Sequence, residues 1–204
     1  MSLYGAAVAV VKVFAKLLFR VKVTGEKHLP DGPVVLCPNH MSYADPIFVV
    51  TSIDRRITAV AKASLFDKPF IGWLFRKLEI IPVNRDGGDF GAVRTAVKAL
   101  KDGKVLVVFP QGTRVMKKPL DDSLVRGGAS MMAIKGNATI VPMSIYTKNY
   151  RVLPFRKVIV NIGKGFKADE LYDGENDKNF TYLSKRIFER VMELDAQTRD
   201  GLKK

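Results

Sequence analysis

Cysteine occurs once in the 204 residues, at Cys37, and histidine only twice, at His28 and His40. A single thiol excludes an internal disulfide, and this sparse set leaves no His/Cys cluster at zinc-site spacing. No metal of the zinc type is expected. Acidic residues are also scarce: 20 Asp and Glu stand against 34 Lys and Arg, a formal net charge of +14. That surplus points to an anionic partner without naming it. Nucleic acid, anionic lipid headgroups, phosphorylated small molecules and an acidic carrier protein all suit it, as does plain solubility. Nucleic acid lacks further support, since there are no aromatic-interleaved basic strands and no recognition-helix pattern. Long apolar runs are missing too. Residues 3–19 come nearest, interrupted by Tyr4, Gly5, Lys12 and Lys16, and are marginal in length for crossing a bilayer. They carry neither the basic start nor the cleavage site of a secretory signal. The expectation is a retained segment on a protein at the cytoplasmic face of the cell membrane, peripheral or monotopic.

What is present is apolar material, 47% of the chain, enough for one substantial core. In residues 1–20, Lys12, Lys16 and Arg20 fall at i, i+4 and i+8 and predict one basic stripe among Val10, Val11, Val13, Phe14, Leu17 and Leu18. That is the pattern of a helix lying in an anionic interface; an amphipathic helix packed on the protein's own core reads the same way. Residues 21–204 form the remaining domain. Short β-branched runs at 21–24, 34–37, 57–62, 79–83, 105–109, 140–145 and 157–162 read as strands of a largely parallel sheet. Helical spacing marks 90–101, 127–135 and 178–197, with shorter helices at 44–52 and 70–78. No linker or repeat divides the chain, so a single α/β domain is expected, its chemistry beyond the carboxyl ends of the strands.

Three clusters sit at such strand exits. In the first, Asn39 to Asp45, His40 follows the strand at 34–37. Residues five apart on one helix diverge, so His40 and Asp45 meet only across a turn, which capping by Ser42 or by Asp45 before Pro46 would supply. A carboxylate on one imidazole nitrogen leaves the other as a base. The second cluster puts Arg85 after another strand and before a helix, a natural place for a phosphate ligand. The third, Phe109-Pro110-Gln111-Gly112-Thr113-Arg114, combines a glycine that lets a ligand approach the backbone with a second cationic anchor. One base and two cations at one rim suit acyl transfer to a hydroxyl of a phosphorylated molecule. Cys37 reads as a small buried strand residue and His28 as exposed. Residues 114–118 read as a solvated loop or as a contact for membrane or acidic carrier.

At these residues the chain resembles the glycerolipid phosphate acyltransferases, specifically the 1-acylglycerol-3-phosphate acyltransferases. Asn39, His40 and Asp45 match the family's Asn-His-x4-Asp motif, and residues 80–85 its arginine block. Residues 109–114 match its Phe-Pro-Glu-Gly-Thr-Arg block, and Val141-Pro142 its Val-Pro block. Lys62 and Gly72 fall where the family has a lysine and a glycine. The resemblance implies that His40 deprotonates the 2-hydroxyl of a lysophosphatidate and that Asp45 orients the ring. Asn39, Lys62, Arg85, Gln111, Gly112, Thr113 and Arg114 would line the substrate site. It further implies no cofactor or metal, with acyl carrier protein or coenzyme A thioesters as donor. Gln111 departs from the family's glutamate, which leaves open another acceptor, such as glycerol 3-phosphate, or a lipid-binding protein with impaired turnover.

Overall fold

The computed structural model describes residues 3–26, 28–84 and 89–202. Its centre is a strand that water never touches. β2 (Val34–Pro38) is buried along its length, and its alternation sends Val35 and Cys37 to one face and Val34 and Leu36 to the other. Being apolar on both faces, it takes the middle of a sheet whose order is β1-β7-β6-β2-β5-β3-β4. The others are β1 (Arg20–Gly25), β3 (Ile57–Lys62), β4 (Ile81–Val83), β5 (Val105–Val107), β6 (Thr139–Thr147) and β7 (Lys157–Ile162). β6, β2, β5, β3 and β4 run parallel. β7 is antiparallel to β6 and parallel to β1. The expected α/β domain with a mostly parallel sheet is therefore found.

Both faces are covered, as a parallel sheet requires. α4 (Phe90–Lys101), α5 (Gly128–Lys135) and α6 (Phe180–Gly201) bury Ala96, Leu100, Met132, Leu183 and Ile187 against one face. α4 begins where Asp89 accepts from the Ala92 N–H, and α6 where Asn179 accepts from that of Tyr182, each satisfying an otherwise orphaned donor. On the other face α2 (Asp45–Ser52) buries Phe48 and Val49. Full burial of a Phe side chain contributes about 2–3 kcal/mol. α3 (Pro69–Lys77) links β3 to β4. Its Gly72 lets the helix close on the preceding turn, since a Cβ there would sit 2.0 Å from the Phe66 carbonyl oxygen.

α1 (Leu3–Leu18) docks beside α2 through the buried Ala15, and Phe19 meets Phe48 edge to face at 4.9 Å. Of the anticipated basic stripe, Lys12 and Lys16 lie on this helix and Arg20 does not. The helix ends at Leu18, whose carbonyl accepts from the Phe155 N–H at 2.6 Å, and Arg20 opens β1 instead, its N–H bonded to the Arg156 carbonyl. Lys12 faces Asp54 at 3.5 Å. The Lys16 side chain lies outside what the structure describes. Pointing outward are Val10, Val13, Phe14 and Leu17, all exposed, at the i, i+3, i+4, i+7 spacing of one helical face. Among the described residues no helix is long and apolar enough to cross a membrane.

Candidate active site

Because β2, β5, β3 and β4 are parallel, their carboxyl ends share one edge of the sheet. The loop after β2 carries His40, and the following residues make a tight reversal into α2. The imidazole Nδ1 lies 2.8 Å from Asp45 Oδ2. That same oxygen accepts from the backbone N–H groups of Met41, at 2.6 Å, and Ser42, at 2.7 Å. Capping and catalysis therefore do not compete here. The residue preceding α2 is Ala44, no side chain caps the helix, and Asp45, its first residue, turns back over the loop. Ser42 accepts from the Ala44 N–H instead of capping.

Three donors on one oxygen hold the carboxylate still. It is fully buried, while the His40 side chain retains 14% exposure. With Nδ1–H donating to the carboxylate, the lone pair on Nε2 is left for a proton. Phe109 lies almost parallel to the imidazole at 4.1 Å between centroids, which fixes the ring plane. Neither Asp45 Oδ1 nor Gln111 Nε2, both buried, has a hydrogen-bond partner among the described residues. Such groups cost on the order of 1–3 kcal/mol each and concentrate at functional sites.

The loop after β5 interlocks with the first. Gln111 Oε1 accepts from the His40 N–H at 2.8 Å, and the Val115 N–H donates to the His40 carbonyl at 2.9 Å. Gln111, expected among the substrate contacts, is buried at 1% exposure, and its amide oxygen holds the histidine backbone. Asn39, expected there too, is likewise engaged by backbone. It is buried, its Nδ2 donates to the Ile145 carbonyl at 3.1 Å, and its Oδ1 accepts from the Ile145 N–H at 2.6 Å. Both ends of the amide are occupied, so Asn39 locks the histidine loop to β6.

Gly112 adopts φ +65°, and a Cβ there would stand 3.3 Å from the Arg126 side chain. Thr113 is exposed at the loop tip. Arg114 lays its guanidinium over the Tyr43 ring at 3.6 Å. No hydrogen bond or ion pair engages its N–H donors among the described residues, so the fork is available to an anion beside His40. Tyr43 and Phe109 are the residues that sequence reasoning overlooked. Both lie inside the motif blocks, at positions whose aromatic character was the available signal. Lys62 ends β3, exposed and paired in register with Val83 of β4. Arg85 lies outside the described residues. β4 stands three strands from β2, roughly 14 Å away at the usual strand spacing.

Cys37 is fully buried in β2, and burial pushes its thiol well above the ordinary range. It offers no thiolate for a covalent route. His28 is exposed. Among the described residues no group of three acidic, His or Cys side chains could hold a metal ion.

Comparison with known proteins places this arrangement. The acyltransferase family model matches residues 20–146. The chain is 31% identical to the 1-acyl-sn-glycerol-3-phosphate acyltransferase of Bacillus subtilis, over 90% of this chain and 92% of that protein. It is 27% identical to the protein of the same name from Borreliella burgdorferi, over 71% of this chain and 57% of that one. Among solved structures, the 1-acyl-sn-glycerophosphate (LPA) acyltransferase PlsC from Thermotoga maritima shares the fold with a TM-score of 0.70. The match covers 96% of this chain and 81% of that one at 24% identity.

Proposed function

This chain belongs to the acyltransferase family, and from that premise we propose that it transfers an acyl chain from a thioester to the 2-hydroxyl of 1-acyl-sn-glycerol 3-phosphate, yielding phosphatidic acid. The observation that carries the mechanism is the 2.8 Å contact of His40 Nδ1 with an Asp45 oxygen that two backbone N–H groups also hold. His40 Nε2 takes the hydroxyl proton as the oxygen attacks the thioester carbonyl. The tetrahedral oxyanion then collapses, the C–S bond breaks, and the leaving thiolate recovers the proton from the imidazolium. The buried Asp45 charge offsets the positive ring in between. A positioned base of this kind contributes about 10²–10⁴-fold.

Arg114, braced on Tyr43, is the phosphate ligand in this reading, with Lys62 and Arg85 as further cations. No metal or cofactor takes part, and the donor is an acyl carrier protein or coenzyme A thioester. The exposed apolar stripe of α1 supports attachment to a membrane surface, in this reading the anionic cytoplasmic face.

The test is product analysis by mass spectrometry after incubation with lysophosphatidate and each thioester. Phosphatidic acid is the expected product, and His40→Ala should abolish it while leaving lysolipid binding largely intact. Near-native turnover in His40→Ala, or lysophosphatidate proving the poorest of the acceptors tried, would defeat the proposal.

A further inference from the structure

A second cationic feature lies away from His40. Across the starts of β1 and β7 runs a groove of about 630 Å³ lined by Arg20, Val21, Lys22, Phe155, Arg156 and Lys157. Arg20 and Lys22 are two apart on β1 and so share a face, and Arg20 pairs in register with Lys157. Like charges directly opposite in a ladder destabilise it. No acidic group engages any of the four cations among the described residues. Phe155 compounds the anomaly: it holds φ +61°, a left-handed conformation that side chains of its bulk rarely adopt, and is 66% exposed. Repulsion and backbone strain coincide at one surface, which is how a binding function leaves its mark on a fold.

The groove's position says what it meets. Its Phe155 N–H bonds the last carbonyl of α1, so it adjoins the C-terminal end of the helix whose outward stripe is Val10, Val13, Phe14 and Leu17. β7 runs opposite to β6, with Val158 beside Thr147. The starts of β7 and β1 therefore lie at the same edge of the sheet as His40, about three strand spacings, or ~14 Å, from β2. An apolar helix face, an outward aromatic and four unpaired cations together match a bilayer surface, acyl chains below and anionic headgroups above.

We propose that this groove binds the phosphate headgroups of anionic phospholipids, with Phe155 entering the acyl layer. It is separate from the acceptor site. Resting on the membrane reading of α1 given above, it adds a second point of attachment. One helix leaves the protein free to roll about its axis, whereas two points set the edge bearing His40 toward the leaflet, where an acceptor lipid arrives without leaving the interface.

The test measures partitioning of the full chain onto vesicles of phosphatidylglycerol and phosphatidylcholine mixed one to three, and of phosphatidylcholine alone. Each basic group near an anionic surface is worth roughly fivefold. Replacing all four cations (R20Q, K22Q, R156Q, K157Q) should weaken partitioning to the mixed vesicles by roughly 10²–10³-fold at low salt. Binding to phosphatidylcholine, carried by α1, should change less than about twofold on the same reckoning. Phe155→Gly, which relieves the strained φ, should lower binding to both vesicle types without loss of stability. Two outcomes overturn the proposal: the fourfold variant binding mixed vesicles like the natural chain, or its defect emerging only as a raised KM for acyl carrier protein. Turnover of monomeric short-chain lysophosphatidate should be equal in the natural and fourfold-substituted proteins. Absence of that turnover in the natural chain would instead refute the acceptor assignment.

Discussion

Replacing Asp45 by Asn isolates the charge of the pair from its geometry. The amide oxygen can occupy the place of Oδ2 and still accept from Met41, Ser42 and His40, so the loop and the imidazole tautomer are kept. Each bond to a charged acceptor is worth about 1.5–3 kcal/mol and each neutral one about 0.5–1.5, so three weakened bonds remove about 3 kcal/mol. The variant in turn no longer buries a full charge, which offsets part of that. The net loss should be about 1–3 kcal/mol, a fall of roughly 3–10 °C in Tm for a domain of this size. Catalysis should suffer far more. When the ring becomes cationic, a carboxylate about 4 Å from its charge centre supplies ~4 kcal/mol at an effective dielectric constant near 20. Losing it should lower kcat by about 10³-fold. Initial rates at saturating lysophosphatidate, with melting followed by circular dichroism, give both numbers. Adding His40→Ala to Asp45→Asn should lower the rate little further, because both act on one proton transfer. A folded Asp45→Asn protein whose kcat stays within about threefold of the natural value would refute the assignment of Asp45 as partner of the base.

Three further substitutions probe the supports. Asn39→Ala strips both partners from the Ile145 backbone and leaves a buried N–H and C=O unpaired, so urea denaturation should show a loss of about 2–4 kcal/mol. Tyr43→Ala removes the surface on which Arg114 rests; at about 0.5–1 kcal/mol for an exposed contact, the acceptor KM should rise about two- to fivefold with little change in kcat. Gly112→Ala places a Cβ at φ +65° against Arg126, and thermal melting should report about 1–2 kcal/mol of destabilisation.

Much of this molecule could be read along the chain. The predicted strand at 57–62 and the predicted helix at 90–101 are found with those bounds, because period-two and period-3.6 patterns are local properties of the chain. The three motif clusters were legible for the same reason, each being a short block after an apolar run. Their order in space was not. The loop after β5 adjoins the histidine loop, while β4, which precedes β5 in the chain, stands at the far side of the sheet. Strand order follows from which hydrophobic faces match across the sheet, and no local pattern encodes that.

The sequence by itself therefore determined the α/β class, the chemical types at the strand exits and a buried, inert Cys37, since composition and periodicity act over a few residues. Tertiary structure decided the work of Asn39 and Gln111, two polar side chains taken up by the backbone of distant or facing segments. It also ended α1 at Leu18 and carried Arg20 from a supposed helical stripe into a strand beside Lys157. Hydrogen-bond partners across the fold are chosen by packing, and a linear pattern of residues carries no record of them.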